Sequence, residues 1–441
     1  MAGALAHWGP SYASTYLNPP APTLVVAQEE SSLPAAGVLA QSQRVINSLT
    51  ITDVIPAQGK FIAADLVEMK LFLYQDGTTT AEFPIASKGR SGTPWETPTG
   101  FYSVQTKEET HFSSIGHVYM PYSMQFYGNY FIHGWTHYPD GTPVSASFSG
   151  GCIKLTTEDA QEVFEFADIG TRVFVYDSKK TPPQAPLALG ALLLPTVAAT
   201  SYLVADIDTG DVYGEMRARE RQPLFSATKL MTALVANEII SFDKNITVSG
   251  DTLKNLEGEE ASSEVFTIGD LLYPLLMQPG ERVAEVLADY WGSKTFVRSM
   301  NITAHALGMG STTYTDPSGA SLQNVSTADD VFRLVTYLAQ KKSFVLKIVQ
   351  TSHKTITAED GSPYDIQNST TTEAIPVSVL SIPAGGTTRR IAVIVLGSTN
   401  QAQDSIALAQ WVTSAATHST LFPQSACVSC TQAPSYRKIE F

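Results

Sequence analysis

The chain has 441 residues, enough for two or three domains that each bury a core, and 43% of them are hydrophobic, which excludes a disordered protein. Charged residues are only 16%, below the usual quarter. A net charge of −14 with no basic stripe excludes nucleic acid and anionic membrane surfaces as partners.

Residues 1–58 are rich in Ala, Pro and Ser and read as a tail or linker, with one short helix expected over 36–49. The first 30 residues lack a basic start followed by an apolar core, so no signal peptide is visible. The longest apolar run, "LALGALLLPTVAA" at 187–199, is too short to span a bilayer and contains Pro195. From Lys60 the pattern is strand, strand, turn, strand, with Asp76-Gly77 as a hairpin turn. "TPTGFYSVQT" and "NYFIHG" continue the strand-rich reading. "TTEDAQEVFEFADIGTRVFVYD" gives one helix and one strand: Thr156 or Thr157 caps, Glu158 and Asp159 favour the first turn, and Gly170 is the expected stop. A first, mostly-β domain is expected over 59–178, followed by a Lys- and Pro-rich linker over 179–199.

The second domain, expected over 200–418, mixes strands and helices and reads as α+β. Its hairpin turns at Asp208-Thr209-Gly210. Helices are expected over 226–240, over 267–292 and over 326–340, the last capped by Ser326 or Thr327. "RRIAVIVLGSTN" is a buried strand leading to a final helix near residue 410, and 419–441 is a tail. The chain's three cysteines are Cys152, Cys427 and Cys430, too few for a disulfide framework. Cys427 and Cys430 form a C-x-x-C with no second pair and no nearby His, which argues against zinc; a local disulfide in an oxidising compartment and an unstructured tail are the two readings left open. No metal or cofactor is expected.

Cys152 follows Ser149, Gly150 and Gly151, which is loop chemistry. Backbone N–H groups are free at such a turn, and they can lower a thiol's pKa and hold an oxyanion. His133 ends the strand "NYFI" 19 residues upstream, so a returning loop can bring imidazole and thiol together. Spacing alone leaves a nucleophile and a buried small hydrophobe equally open. His137 reads as a solvent-exposed loop residue.

Lys60 to Asp177 resembles the L,D-transpeptidase catalytic domain, the YkuD-like family. The resemblance rests on Ile132-His133-Gly134, a 15-residue gap, then Ser149-Gly150-Gly151-Cys152-Ile153, with "GTPWETPTGFYSV" and "MPYSMQFYGNYFIHG" upstream. It implies a peptidoglycan acyltransferase whose partners are stem peptides. Cys152 would be the nucleophile and His133 the base, pairing as imidazolium and thiolate so that the thiol's pKa falls. Ser149 would belong to the catalytic turn, and the N–H groups of Gly151 and Cys152 would be oxyanion donors. Lys154, Gly134 and Tyr122 would bind substrate. Many members have His where this chain has Gly150, and Arg where it has Lys154. Lysine offers a carboxylate a point charge in place of two parallel bonds.

"RQPLFSATKLMTALVA" resembles the active-site entry of D-alanyl-D-alanine carboxypeptidases, the low-mass penicillin-binding proteins, with Ser226-Ala227-Thr228-Lys229 as the S-x-x-K motif. The family's S-x-N element meets Pro279-Gly280-Glu281 here, and its K-T-G strand meets Asn368-Ser369-Thr370. The resemblance therefore implies a degenerate fold that binds or scaffolds, with Ser226 and Lys229 as remnants of a site. A bifunctional enzyme and a non-catalytic wall-binding scaffold are the rival readings. Both halves place the protein outside the cytoplasm, in the cell envelope, with any anchor or signal missing from this numbering.

Overall fold

The computed structural model describes residues 54–421 apart from 115, 146–148, 179–192, 241, 250–262, 362, 369–374 and 385–386. The helix expected over 36–49, Ser369, Thr370, Cys427 and Cys430 lie outside the described residues.

The N-terminal region is rich in strands: β1 (Lys60–Asp65), β2 (Lys70–Gln75), β3 (Thr78–Pro84), β4 (Gly100–Ser103), β5 (Thr106–Ser113), β6 (Val118–Tyr127), β7 (Tyr130–His133), β8 (Ile153–Lys154) and β9 (Arg172–Tyr176), with helix α1 (Thr157–Phe166) between the last two. They form two sheets, β3-β2-β1-β9-β4 and β5-β6-β7-β8. Asp76 and Gly77 both take positive φ, the conformation a two-residue hairpin turn demands. Period-2 alternation lets both sheets share one core. Ile62, Leu71 and Leu73 from the first meet Met124, Ile132 and Ile153 from the second, with Ala160 and Val163 of α1.

Thr156 is the cap of α1, its hydroxyl accepting from the Asp159 N–H. The helix ends at Phe166, before the expected stop at Gly170. The cause is Lys107 of β5, whose ammonium donates to the carbonyls of Phe164 and Ala167 and satisfies the last turn without a glycine. Gly170 instead takes a positive φ in the turn before β9.

The C-terminal region contains β10 (Ser201–Asp206), β11 (Val212–Met216), β12 (Gln222–Pro223), a 3-10 turn (Phe225–Ala227), α2 (Thr228–Ile239), β13 (Asn245–Ser249) and β14 (Ser263–Thr267). Then follow α3 (Ile268–Met277), α4 (Arg282–Trp291), α5 (Ser293–Ala306), β15 (Val325–Ser326), α6 (Ala328–Lys341) and α7 (Ser343–Val349). The chain continues through β16 (His353–Thr357), β17 (Pro363–Gln367), β18 (Val377–Ala384), β19 (Thr387–Leu396) and α8 (Gln401–Leu421). The main sheet runs β11-β10-β19-β18. Along β19, Ile391, Val393 and Val395 join Leu408 and Val412 of α8, while Ala392, Ile394 and Leu396 join the helical core on the other face. Every residue of α2 is buried, as a helix at the centre of a bundle requires.

The single helix expected over 267–292 is two. Pro279 holds its predecessor Gln278 in extended backbone, and Gly280 turns with φ 114° before α4 begins. At the other expected cap, Thr327 is the one used, accepting from the Asp330 N–H.

The two regions meet in a polar and aromatic seam. The Tyr127 and Thr303 hydroxyls lie 2.6 Å apart, Asn129 Nδ2 donates to the Ile239 carbonyl at 2.7 Å, and Asn237 Nδ2 donates to the Pro94 carbonyl at 2.9 Å.

Within the main sheet, Arg389 of β19 meets Asp206 of β10 at 3.0 Å, and both are buried. Replacing Arg389 with Met should leave the Asp206 carboxylate without its cation and cost about 3–5 kcal/mol of stability. Urea unfolding measures this; a loss below about 1 kcal/mol would contradict it.

Candidate active site

The site of the N-terminal region is built on a parallel pairing of β7 with β8, Ile132 opposite Ile153 and His133 opposite Lys154. The two isoleucines are fully buried in the core. Their neighbours His133, Cys152 and Lys154 therefore leave from the opposite face. The register sets Lys154 opposite His133, and Cys152 stands one residue before β8.

The turn before Cys152 is shaped by its own side chains. Ser149 Oγ accepts from the Gly151 N–H at 3.2 Å and donates to the Cys152 carbonyl at 2.8 Å. Gly151 has φ 106°, and a Cβ there would fall 2.3 Å from the Tyr130 ring and 2.9 Å from the Trp95 carbonyl oxygen. Only glycine fits. Its carbonyl accepts from Thr97 Oγ1 at 2.8 Å. The Gly151 N–H is thus already engaged, which argues against its use as an oxyanion donor; its place in the site is one of shape.

His133 is buried, with Nδ1 2.6 Å from the Gly134 carbonyl oxygen. A carbonyl only accepts, so Nδ1 carries the hydrogen and Nε2 of the neutral ring holds the lone pair. Burial pulls the imidazole down to about 4; the Gly134 hydrogen bond opposes this, and Lys154 and His111 add to it. The Cys152 thiol donates to the Asn129 carbonyl at 3.6 Å. Burial pushes it up to about 11, against a backbone hydrogen bond from Phe131 and the Lys154 charge. Both shifts favour the neutral thiol and the neutral imidazole over the imidazolium and thiolate that the resemblance implies. A desolvated strand face disfavours both charges.

Lys154 is buried with its ammonium 5.3 Å from the centre of the Trp135 ring. Burial lowers its pKa, and Cys152 raises it. The Gly134 carbonyl fixes the His133 ring. Tyr122 packs edge-on against Phe164 of α1 at 5.7 Å, at the margin of the core. Sequence reading missed Asn129 and Thr97. The second stood inside the quoted "TPWETPTG", but nothing in sequence says that its hydroxyl reaches residue 151.

In the C-terminal region the turn with Ser226 precedes α2, and Lys229 lies in the first turn of that helix. Phe225 takes φ 45° and is half exposed, and Gly319 backs it so closely that a Cβ would lie 2.0 Å from the Phe225 carbonyl oxygen. Asn324 Nδ2 donates to Thr228 Oγ1 at 3.2 Å and braces the same turn. The buried Lys229 ammonium donates to the Gln278 carbonyl at 2.9 Å, beside Pro279 and Gly280. Glu281 is exposed. The fold thus brings the S-x-x-K turn and the Pro279-Gly280-Glu281 loop together. Asn368 spends its side-chain amide on the carbonyls of Val349 and Thr351, at 2.7 and 2.9 Å. Among the described residues, no cluster of three or more His, Cys, Asp or Glu is placed to hold a metal ion.

Comparison with known families follows the same division. Residues 59–175 match the L,D-transpeptidase catalytic domain, and residues 190–409 match the D-alanyl-D-alanine carboxypeptidase family. The chain carries a domain of each. The carboxypeptidase-family domain is similar to a D-alanyl-D-alanine endopeptidase of Pseudomonas aeruginosa, 37% identical over 164 residues, covering 36% of this chain and 52% of that protein. It is also similar to a D-alanyl-D-alanine endopeptidase of Escherichia coli, 32% identical over 148 residues, covering 32% and 47%. The chain spans about half the length of these curated relatives. A crystal structure of D-alanyl-D-alanine carboxypeptidase from Mycobacterium tuberculosis aligns at 23% identity over 55% of this chain and 98% of that one, with a TM-score of 0.43.

In the transpeptidase-family domain, the raised thiol pKa sets how Cys152 titrates. With a pKa of about 11, roughly one thiol in ten thousand is ionised at pH 7. Iodoacetamide labelling of Cys152 should be slow at neutral pH and rise toward pH 11. A curve with its midpoint below about 8.5, the value for a free thiol, would contradict the raised thiol pKa.

Proposed function

We propose that the protein is a peptidoglycan L,D-transpeptidase of the cell envelope that forms 3–3 cross-links through a thioester on Cys152. The single observation behind this reading is the β7–β8 pairing, which brings the start of β8, with Cys152 just before it, alongside a histidine whose tautomer Gly134 fixes. Sγ attacks the carbonyl after the L-centre of diaminopimelate in a tetrapeptide stem as His133 Nε2 takes the thiol proton. The departing D-Ala amine receives that proton, and the thioester remains. The side-chain amine of a second stem then attacks the thioester, gives its proton to His133, and releases the thiol. Neutral reactants suit the closed site, because charge appears only as the bond forms. Lys154, buried beside the thiol, supplies a fixed positive charge near the developing anion.

Cys152→Ala should abolish dimer formation from muropeptides while leaving the fold intact. Mass spectrometry of the products decides this. Dimers made by the variant would refute the assignment.

The mostly-β first domain is thus read as the catalyst, and the α+β second domain as a holder of stem peptides. Family membership favours a serine peptidase reading of the second domain, and Ser226 lies in the turn before the helix that carries Lys229. Three features weigh against turnover. Pro279 has no hydroxyl, Glu281 brings a negative charge where a neutral amide is expected, and Asn368 is committed to backbone carbonyls and supplies no cation. The full chain should release negligible D-Ala from a D-Ala-D-Ala peptide once Cys152 is removed. It should also form no stable penicillin adduct at Ser226. Release that vanishes in Ser226→Ala would show that the serine site turns over.

A further inference from the structure

The segment Pro94-Trp95-Glu96-Thr97 is wedged between the two domains. On one side the Trp95 ring meets Phe242 of the carboxypeptidase-family domain edge-on at 6.1 Å, and Phe242 in turn meets Phe344 at 5.9 Å. On the other side the segment forms the wall behind the Cys152 turn. The Trp95 carbonyl oxygen lies where a side chain on Gly151 would go, and Thr97 Oγ1 donates to the Gly151 carbonyl at 2.8 Å. The Gly89 N–H donates to the same Thr97 hydroxyl at 2.8 Å and fixes its direction.

Lys342, in the bend between α6 and α7, holds this wall from the far domain. Its side chain is fully buried. Its ammonium donates to the Pro94 carbonyl at 2.8 Å, to the Glu96 carbonyl at 2.9 Å and to the Tyr130 hydroxyl at 3.4 Å. Three donors thus meet three acceptors, and each acceptor belongs to the transpeptidase-family domain. Pro94 and Glu96 flank Trp95, while the Tyr130 ring is the other surface against which Gly151 packs. One cation therefore fixes both surfaces that enclose the residue before the nucleophile. Asn237 and Lys341 add to the grip, on the Pro94 carbonyl and on the Glu96 carboxylate. The buried carboxylate of Glu238 lies near enough to act on the Lys342 charge.

We infer that Lys342 is a positioning residue for the transpeptidase, so that the carboxypeptidase-family domain supplies the back wall of the Cys152 turn. The inference rests on the transpeptidase reading for its cross-linking readout, but not for its chemical one. A displacement of about 1 Å at a nucleophile is enough to cost a large factor in rate. Lys342 touches neither the thiol nor the substrate, so its effect should fall on kcat and on thiol reactivity, with little effect on KM.

The test uses the full chain. Lys342→Met, Asn237→Ala, the exposed-surface control Lys294→Gln and the unaltered protein are compared by thermal unfolding, by the rate of Cys152 alkylation at pH 7, where Lys342 with its pKa lowered by burial to about 8 is still mostly charged, and by kcat and KM for muropeptide dimer formation. Lys342→Met is expected to lower kcat at least tenfold, with KM within about twofold, and to change the alkylation rate severalfold. Asn237→Ala should show the same pattern at a few-fold. Lys294→Gln should match the unaltered protein. A folded Lys342→Met protein with unchanged kcat and alkylation would overturn the inference. Should Lys342→Met fail to fold, Asn237→Ala decides: a few-fold loss of kcat with a retained melting transition supports the inference, and unchanged values overturn it. If the unaltered protein makes no dimers, the transpeptidase reading falls, and the alkylation rates alone decide the positioning role.

Discussion

Two opposed residue pairs, Ile132 with Ile153 and His133 with Lys154, hold β7 beside β8, and the chemistry of the transpeptidase-family domain depends on them. The pairing is short and parallel, so it needs support from elsewhere. Buried isoleucines give it a core on one face. The Lys154 N–H and carbonyl both pair with the Ser87 backbone, and the Leu155 N–H donates to the His133 carbonyl. With the strands fixed, alternation alone decides that imidazole, thiol and ammonium emerge together.

That arrangement sets the electrostatics. The same burial that orders the strands removes water from the face they share, and it pushes the histidine and the cysteine toward their neutral forms. A neutral thiol is a weak nucleophile at rest, so in the proposed mechanism the base acts in concert with the attack. The Gly134 carbonyl matters here because it keeps the proton on Nδ1 and leaves Nε2 able to receive one. Ser149 and Thr97 do comparable work on the backbone of the turn. Each orients a peptide group next to the nucleophile without touching the reacting atoms.

Much of this was legible in the sequence. The Asp76-Gly77 turn, the Thr156 cap and the buried strand at Thr387–Leu396 follow from local propensity and period, which act over a few residues. His133 and Cys152 are singled out by the family resemblance, since spacing alone leaves a nucleophile and a small hydrophobe equally open. What could not be read depends on contacts distant in sequence. The end of α1 is set by Lys107, about 60 residues away, and the wall behind Gly151 by Lys342, about 190 away. The charge state of the site is hard to read from sequence for a related reason. A motif names the groups that meet, but their ionisation depends on how much water the rest of the fold leaves them. Pro279 explains the broken helix over 267–292 locally, and that break was available to a closer reading of X-Pro geometry.

The aromatic part of the seam has a consequence for how the protein can be divided. Cutting the chain between its two domains would bare the Trp95 ring and the Tyr127 hydroxyl on one piece, and Phe242, Phe344 and the Glu238 carboxylate on the other. Each half would then carry a flat apolar patch rimmed by polar groups that had lost their partners, a surface that invites aggregation or reunion with its complement. The halves are complementary fragments of one object more than independent modules. Shuffling either domain onto another partner would require rebuilding the face that the other now covers.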